Sequence, residues 1–344
     1  MSDRPTDPLD ERLARALRPC LALATGPALL AVSGGPDSMA LLHAAAHLGE
    51  RDRLIAATVD HGLRPEAAEE AEAVGRFAAG LGVAHAVLRW DTPRRGSRIQ
   101  AEARAARYRL LVEHAIRLGA TLVLTGHTLD DQAETVLMRL IAGSAPGGLA
   151  GMRALRQIAP GIHLARPLLG LEKADLLAYC RAHGLPFLCD PSNADERFAR
   201  ARLRRLMPAL RAEGLSSQRL ARLASRAARD EAALAQRAET VFARLARFEP
   251  GGLVLDGARL RDEPEAIGLR VLERALDAVA SGASAAAPKR LERLETLAFE
   301  AVLPALAQGR AMRRTLRGVL IATDRHGNLA VSEAPPRKGG SVAR

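Results

Sequence analysis

The chain has 344 residues, of which 48% are hydrophobic, and carries a formal net charge of +11. Its apolar share excludes wholesale disorder, and it lacks the run of about 18 uninterrupted apolar residues that a membrane-spanning helix needs. Three widely spaced cysteines, Cys20, Cys180 and Cys189, exclude a Cys-x-x-Cys pair or a disulfide framework. A reduced, cytoplasmic protein with no membrane partner is the expectation, because the polar, acidic start Met1–Arg12 does not read as a signal peptide.

The elements follow in chain order from apolar periodicity. A lead-in helix runs up to Leu23 on Leu9, Leu13, Ala16 and Leu17. Ala28–Val32 reads as a strand that opens into Ser33-Gly34-Gly35-Pro36-Asp37-Ser38, and Met39–Leu48 reads as a buried helix. Strands are predicted at Leu54–Val59, Ala84–Trp90 and Thr121–Thr125, and helices at Glu66–Leu81, Ile99–Leu118 and Asp130–Ala142. This alternation predicts an α/β fold with a mostly parallel, doubly wound sheet. In such sheets ligands bind beyond the carboxyl ends of the strands, where Ser33–Ser38, Asp60–Arg64 and Gly126–Asp131 fall.

After Gly143 the alternation fades into Pro- and Gly-containing connections across Gly147–Gly170, then a helix at Glu172–His183. From Leu215 onward helices dominate, at Ser216–Phe248, Glu265–Ala280 and Lys289–Gln308, ending in a hairpin of Gly318–Thr323 and Leu329–Ser332. The predicted domains are 1–212 (catalytic), 213–310 (helical), 311–334 (a small hairpin extension) and a disordered tail at 335–344.

A strand, a loop with two glycines and a helix N-terminus together hold phosphate, because backbone N–H groups and the helix dipole face the anion. Ser33, Gly34, Gly35, Pro36, Asp37 and Ser38 are the candidate phosphate-binding residues, with Asp37 holding Mg²⁺ against the phosphates. No Gly-x-x-x-x-Gly-Lys followed by Ser or Thr is present, which disfavours ordinary P-loop chemistry. The adjacent carboxylates Asp130 and Asp131 open a helix, so they read as dipole-favoured caps or as groups that hold metal or orient an amine. His127 reads equally as a nucleotide donor or a structural histidine, and His61 is treated in the same way.

Arg104 and Arg107 share one helix face and could clamp phosphate. Arg197, Arg200, Arg202, Arg204 and Arg205 form a basic cluster, and Arg219, Arg222, Arg226 and Arg229 form a ridge at helical spacing. Arg310, Arg313, Arg314 and Arg317 are a third basic group, and each group has a solvated-face alternative. The charge favours a polyanionic partner. Only Lys173, Lys289 and Lys338 are lysines, so the arginine excess also fits a GC-rich genome, and a basic enzyme without nucleic acid stays open. One tryptophan, two tyrosines and six phenylalanines argue against wide stacking platforms for single strands.

Ser-Gly-Gly-x-Asp-Ser after a strand resembles the signature of the PP-loop (N-type) ATP pyrophosphatases. Further blocks resemble one branch, the tRNA(Ile)-lysidine synthetases. They are Val59–Arg64, Gln100–Arg104 with Arg107-Tyr108, Thr125–Thr135, Arg166–Leu169, Asp190–Asn193 and Arg200–Arg204. The departures are the stretch Gly143–Met152, Ala201 in the arginine block, and a weakly matching region beyond 212. The resemblance implies ATP and Mg²⁺ as cofactors, free L-lysine and a tRNA(Ile) with a CAU anticodon as partners, and lysidine as product, with a homodimer left open. It implies Asp37, Asp131 and Arg107 as catalytic, and Ser33–Ser38, His61, Gly126, His127 and Arg202 at the nucleotide. It also implies Asp37 and Asp130 at the metal, and Arg104, Arg200, Arg204, Arg205 and Arg222 on tRNA. A tRNA thiolase of the same superfamily is weakened by the missing cysteine pair, and a non-enzymatic RNA-binding protein is the other alternative.

Overall fold

The structure is a computed structural model that describes residues 8–49, 51–62, 66–90, 99–188, 199–281 and 290–335. Leu63, Arg64, Arg94, Arg95, Arg98, Asp190–Asn193, Arg197 and the tail from 336 lie outside the described residues. The chain divides into two compact units. One comprises residues 1–144 and 148–225, the other 145–147 and 226–344.

The first unit is built on a six-stranded sheet in the order β3-β2-β1-β4-β6-β5. Its strands are β1 (Ala28–Ala31), β2 (Leu54–Asp60), β3 (Ala84–Arg89), β4 (Leu122–Thr125), β5 (Leu155–Ala159) and β6 (Ile162–Ala165). All pairings are parallel except that of β5 with β6. The helices are α1 (Pro8–Leu21), α2 (Pro36–Ala46), α3 (Ala67–Gly80), α4 (Ile99–Leu118), α5 (Leu129–Ile141), α6 (Lys173–Ala182) and α7 (Ala199–Ala212).

Side chains alternate across the sheet. Leu30, Leu122 and Leu124 pack with Leu13 and Leu17 of α1, Leu41 and Leu42 of α2, and Leu176 of α6. Leu29 and Val123 face the other way, onto Leu111 and Ala115 of α4. Both faces are therefore covered, which explains why the inner strands read as continuous apolar runs. The exception is the β5–β6 pair, hidden in what the sequence suggests is an irregular connection. β5 lies at the sheet edge with Leu155, Arg156 and Gln157 exposed, so it carries no apolar run.

β1 has β2 on one side and β4 on the other. The chain leaves β1 toward β2 and returns beyond it as β4, so the crevice between their carboxyl ends is a topological switch point. The Ser33–Ser38 loop follows β1 and the Gly126–Thr128 turn follows β4, one on each side of that crevice.

A histidine cluster lies under α2. His43 Nδ1 is 2.8 Å from the Tyr179 hydroxyl, and its ring lies 4.2 Å from that of His47 and 4.9 Å from that of His183. Burial first, then the neighbouring imidazoles, push the pKa of His43 down to about 4. An exposed imidazole titrates near pH ~6.5, so the unfolded chain takes up this proton first. The stability contributed by neutral His43 is then full above that pH and is lost as pH falls toward the folded pKa. The urea midpoint of unfolding is expected to decline over that window, and His43→Gln to flatten the decline.

The second unit begins within α8 (Ser217–Leu245) and contains an antiparallel sheet in the order β7-β8-β11-β10-β9. Its strands are β7 (Ala246–Glu249), β8 (Gly252–Asp256), β9 (Met312–Leu316), β10 (Val319–Thr323) and β11 (Asn328–Glu333). The predicted helix Ser216–Phe248 therefore stops at Leu245. Residues Ala246–Glu249 pair with β8 across a turn in which Gly251 takes φ 86°. The predicted hairpin strands belong to this five-stranded sheet, which packs with α10 (Glu265–Val279) in one apolar core. Arg317 is engaged by Asp277 at 2.8 Å.

Candidate active site

The phosphate loop is held by its own hydrogen bonds. The Ser33 N–H donates to Ser38 Oγ at 3.1 Å, and Ser38 Oγ donates to the Gly35 carbonyl at 2.9 Å. Buried Ser38 therefore shapes the turn, while Ser33 is exposed toward the crevice side of the sheet. Gly34 takes φ 82°, a left-handed conformation that a side chain would strain, and the Leu188 N–H fastens its carbonyl at 2.9 Å. Gly35 is the N-cap of α2 and Pro36 starts the helix, which leaves the first N–H groups of α2 at the loop.

Across the crevice, Gly126 lies against the loop's backbone. A Cβ there would sit 2.9 Å from the Asp37 carbonyl oxygen and 3.1 Å from the Ser38 nitrogen. Gly126→Ala must therefore push the loop off its position. It is expected to lower kcat/KM for ATP by about 10²-fold with little change in circular dichroism.

Asp37 is the loop's charged group. Its Oδ2 is 3.3 Å from Lys173 Nζ, while its Oδ1 is buried with no hydrogen-bond partner. Burial, opposed by Lys173 and helped by the Asp131 charge, raises its carboxyl above the usual range. An orphaned hard oxygen beside a second carboxylate suits Mg²⁺, which prefers oxygen ligands and keeps several waters.

Asp131 is the carboxylate whose charge acts on Asp37, while Asp130, expected at the metal, has other partners. Asp130 is occupied: its Oδ2 accepts the Lys173 N–H at 2.8 Å and its Oδ1 accepts the Ser217 hydroxyl at 3.0 Å. It ties the starts of α6 and α8 to α5, so the structure assigns it a capping role. Asp131 forms the capping box of α5. Its Oδ2 accepts the Thr128 N–H and hydroxyl, both at 2.9 Å. Its Oδ1 is approached by Arg204 at 3.8 Å.

Arg204, expected on tRNA, is held by a carboxylate: its Nε is 2.5 Å from Oε1 of Glu134, a glutamate 3% exposed, while the arginine stays half-buried. Arg200, one turn earlier on α7, is not paired in that way; its charge acts on Arg107 and His127. Arg202, Arg205 and Arg222 are exposed, the first two on α7 and the third on α8.

On the α4 side, Arg107 Nη2 is 3.5 Å from His61 Nε2, and His61 meets Trp90 edge-on at 5.9 Å. Burial, then the Arg107 charge, hold His61 down to about 4, so the ring is neutral at physiological pH. His127 is held down to about 4 as well, by burial and the charges of Arg166, Arg104 and Arg200 against Asp131. Its Nδ1 is 2.8 Å from the Thr125 hydroxyl.

The structure thus brings together the Ser33–Ser38 loop, Gly126, His127, Asp131, Arg104, Arg107 and Arg200. Lys173 was missed by the sequence reading. Its signal was rarity, as one of three lysines among 50 basic residues. Gln132 was missed too. Its side chain donates to the Met152 carbonyl at 3.1 Å and accepts the Met152 N–H at 2.7 Å, fixing the glycine-rich stretch to α5. Gln132→Leu would leave both buried backbone groups unpaired. It is expected to cost about 2–4 kcal/mol in thermal unfolding.

Residues 7–210 match a family model described as a PP-loop domain. The chain is 54% identical over 337 residues to a tRNA(Ile)-lysidine synthase from Methylobacterium nodulans, covering 97% of this chain and 98% of the relative. It is 43% identical over 330 residues to one from a Bradyrhizobium species, covering 91% and 92%. Among solved structures, the U34-tRNA thiolase NcsA from Methanococcus maripaludis, with its 4Fe–4S cluster, superposes with TM-score 0.54 at 17% identity. That match covers 63% of this chain and 77% of the thiolase, and it is a likeness of fold alone.

Proposed function

Because the chain belongs to the PP-loop family and, within it, to the tRNA(Ile)-lysidine synthases, we propose that it converts the wobble cytidine of a tRNA(Ile) with a CAU anticodon into lysidine. The observation that carries this reading is the crevice between β1 and β4, where a glycine loop without a Walker lysine meets the carboxylates of Asp37 and Asp131.

In the proposed reaction the C2 carbonyl oxygen of the cytidine attacks the α-phosphate of ATP and pyrophosphate leaves. The neutral amine of free lysine then attacks C2, and AMP leaves with the oxygen. Adenylation is needed because an amide-like oxygen is a poor leaving group. The loop N–H groups and the start of α2 would hold the phosphates. Asp37 Oδ1 would hold Mg²⁺, which supplies charge neutralisation at the transferring phosphate. Arg107, kept near neutral His61, would add a guanidinium to the same charge. Oδ1 of Asp131 is the candidate to orient the incoming amine and accept its proton, since Oδ2 is committed to Thr128.

The thiolase alternative draws no support from the closely related synthases. Cys180 is buried with its thiol on the Pro36 carbonyl. No helix among the described residues is long and apolar enough to cross a membrane, and a tRNA substrate fits a cytoplasmic location. ATP–pyrophosphate exchange is expected to require both tRNA(Ile) and Mg²⁺. Exchange that needs neither RNA nor metal, or no exchange under any condition, would contradict the reading.

A further inference from the structure

Several arginines among the described residues meet a carboxylate, as Arg204 meets Glu134 and Arg244 meets Glu263. Arg104, Arg156 and Arg166 do not. Among the described residues, their partners are a phenol, each other's charges and backbone carbonyls. Arg166, directly after β6, is only 3% exposed, and its Nε is buried without a hydrogen-bond partner. Its Nη1 donates to the Arg153 carbonyl at 2.7 Å.

Tyr108 is the hub of the group. The Arg104 guanidinium carbon lies 5.2 Å from its ring centroid and that of Arg156 lies 5.6 Å from it. Arg104 Nη2 reaches toward its hydroxyl at 3.5 Å. Burial first, then the charges of Arg156 and Arg104, work against the charged form of Arg166, with only Tyr108 favouring it.

A guanidinium taken out of water without an anion is unfavourable, and gathering others beside it compounds the cost. Such a group becomes favourable when an anion arrives, because planar donor forks match phosphate oxygens. The group borders the crevice already described, since the Arg104 and Arg166 charges both act on His127.

We propose that Arg104, Arg156 and Arg166, gathered round Tyr108, form a phosphate-ester site distinct from the Ser33–Ser38 loop. This inference rests on the tRNA-modifying function proposed above. Phosphate esters reach this crevice from two sources, ATP and the RNA backbone. ATP phosphates already have the loop and the start of α2, and β5 carries Arg156 on an exposed sheet edge. The RNA backbone beside the target cytidine is therefore the occupant assigned.

The test uses the full-length protein with Arg156→Gln and, separately, Arg156→Ala. Arg156 is exposed and, among the described residues, meets no carboxylate, so its replacement leaves the core alone. Each variant is expected to raise KM for tRNA about tenfold with kcat and KM for ATP near wild type. The slope of log affinity for tRNA against log salt is expected to fall by about one unit. A raised KM for ATP with tRNA binding unchanged would overturn the assignment to RNA and give the site to the nucleotide. Unchanged KM values and an unchanged salt slope in both variants would overturn the site itself. If the wild type bound tRNA but made no lysidine, the functional reading would fail separately, because the salt slope reads the site without turnover.

Discussion

Asp37→Asn is expected to reduce lysidine formation by about three orders of magnitude while the protein stays folded. The substitution keeps the size of the side chain and a group able to face Lys173, so the turn held by Ser38 has no reason to open. It removes the charge on the one side-chain oxygen in the loop that is buried without a partner, the oxygen proposed to hold Mg²⁺. Raising Mg²⁺ tenfold would recover little of the loss, because a neutral amide oxygen is a much weaker ligand for this hard cation than a carboxylate. Turnover of Asp37→Asn within about fivefold of wild type would place the metal elsewhere.

Arg204→Ala is expected to destabilise the first unit by about 3 kcal/mol, because it leaves Glu134 buried and unpaired. That lies at the lower end of the range for broken buried pairs, since Arg204 keeps 33% of its side chain exposed. For a unit of this size it corresponds to a drop of about 6–12 °C in Tm. Burial raises the Glu134 carboxyl even with the Arg204 hydrogen bond opposing it, so without its partner the glutamate would protonate more readily still. Glu134→Gln combined with Arg204→Met should recover part of the loss, since paired apolar or neutral replacement avoids a stranded charge. A single-variant loss below about 0.5 kcal/mol would show the pair to be solvated.

The two effects separate chemistry from support. Asp37→Asn is expected to change turnover with little change in stability. Arg204 holds α7 to α5 and thereby fixes the helix that carries Asp131 and, one turn away on α7, Arg200.

Much of the first unit could be read in the sequence because its inner strands are buried on both faces. Ala28–Val32 and Thr121–Thr125 are apolar runs that end in the polar turns of the site. β5 and β6 could not be read, since an antiparallel edge pair with Arg156 and Gln157 in solvent has the composition of a loop. β7 was hidden for a related reason: Ala246, Arg247, Phe248 and Glu249, mostly exposed, directly follow a 29-residue helix and continue its polar character.

In the site, local chemistry was legible and partner choice was not. Two adjacent aspartates at a helix start look alike in sequence. Their separation depends on Ser217 and the Lys173 N–H, 87 and 43 residues away, which occupy Asp130. Arg200 and Arg204 share a helix face, yet only Arg204 reaches Glu134. Of the Arg166 group, Arg104 and Arg166 stood in two separate sequence blocks and Arg156 in none, because their gathering round Tyr108 is a property of three-dimensional neighbours.

The crevice between β1 and β4 is proposed to join lysine to an ATP-activated cytidine. Incubating the protein with ATP, Mg²⁺, radiolabelled L-lysine and tRNA(Ile) bearing CAU tests it directly. Label is expected in the tRNA, dependent on ATP, absent when the wobble cytidine is replaced by uridine, and lost with Asp37→Asn. No label in intact tRNA while ATP is still turned over would contradict the account.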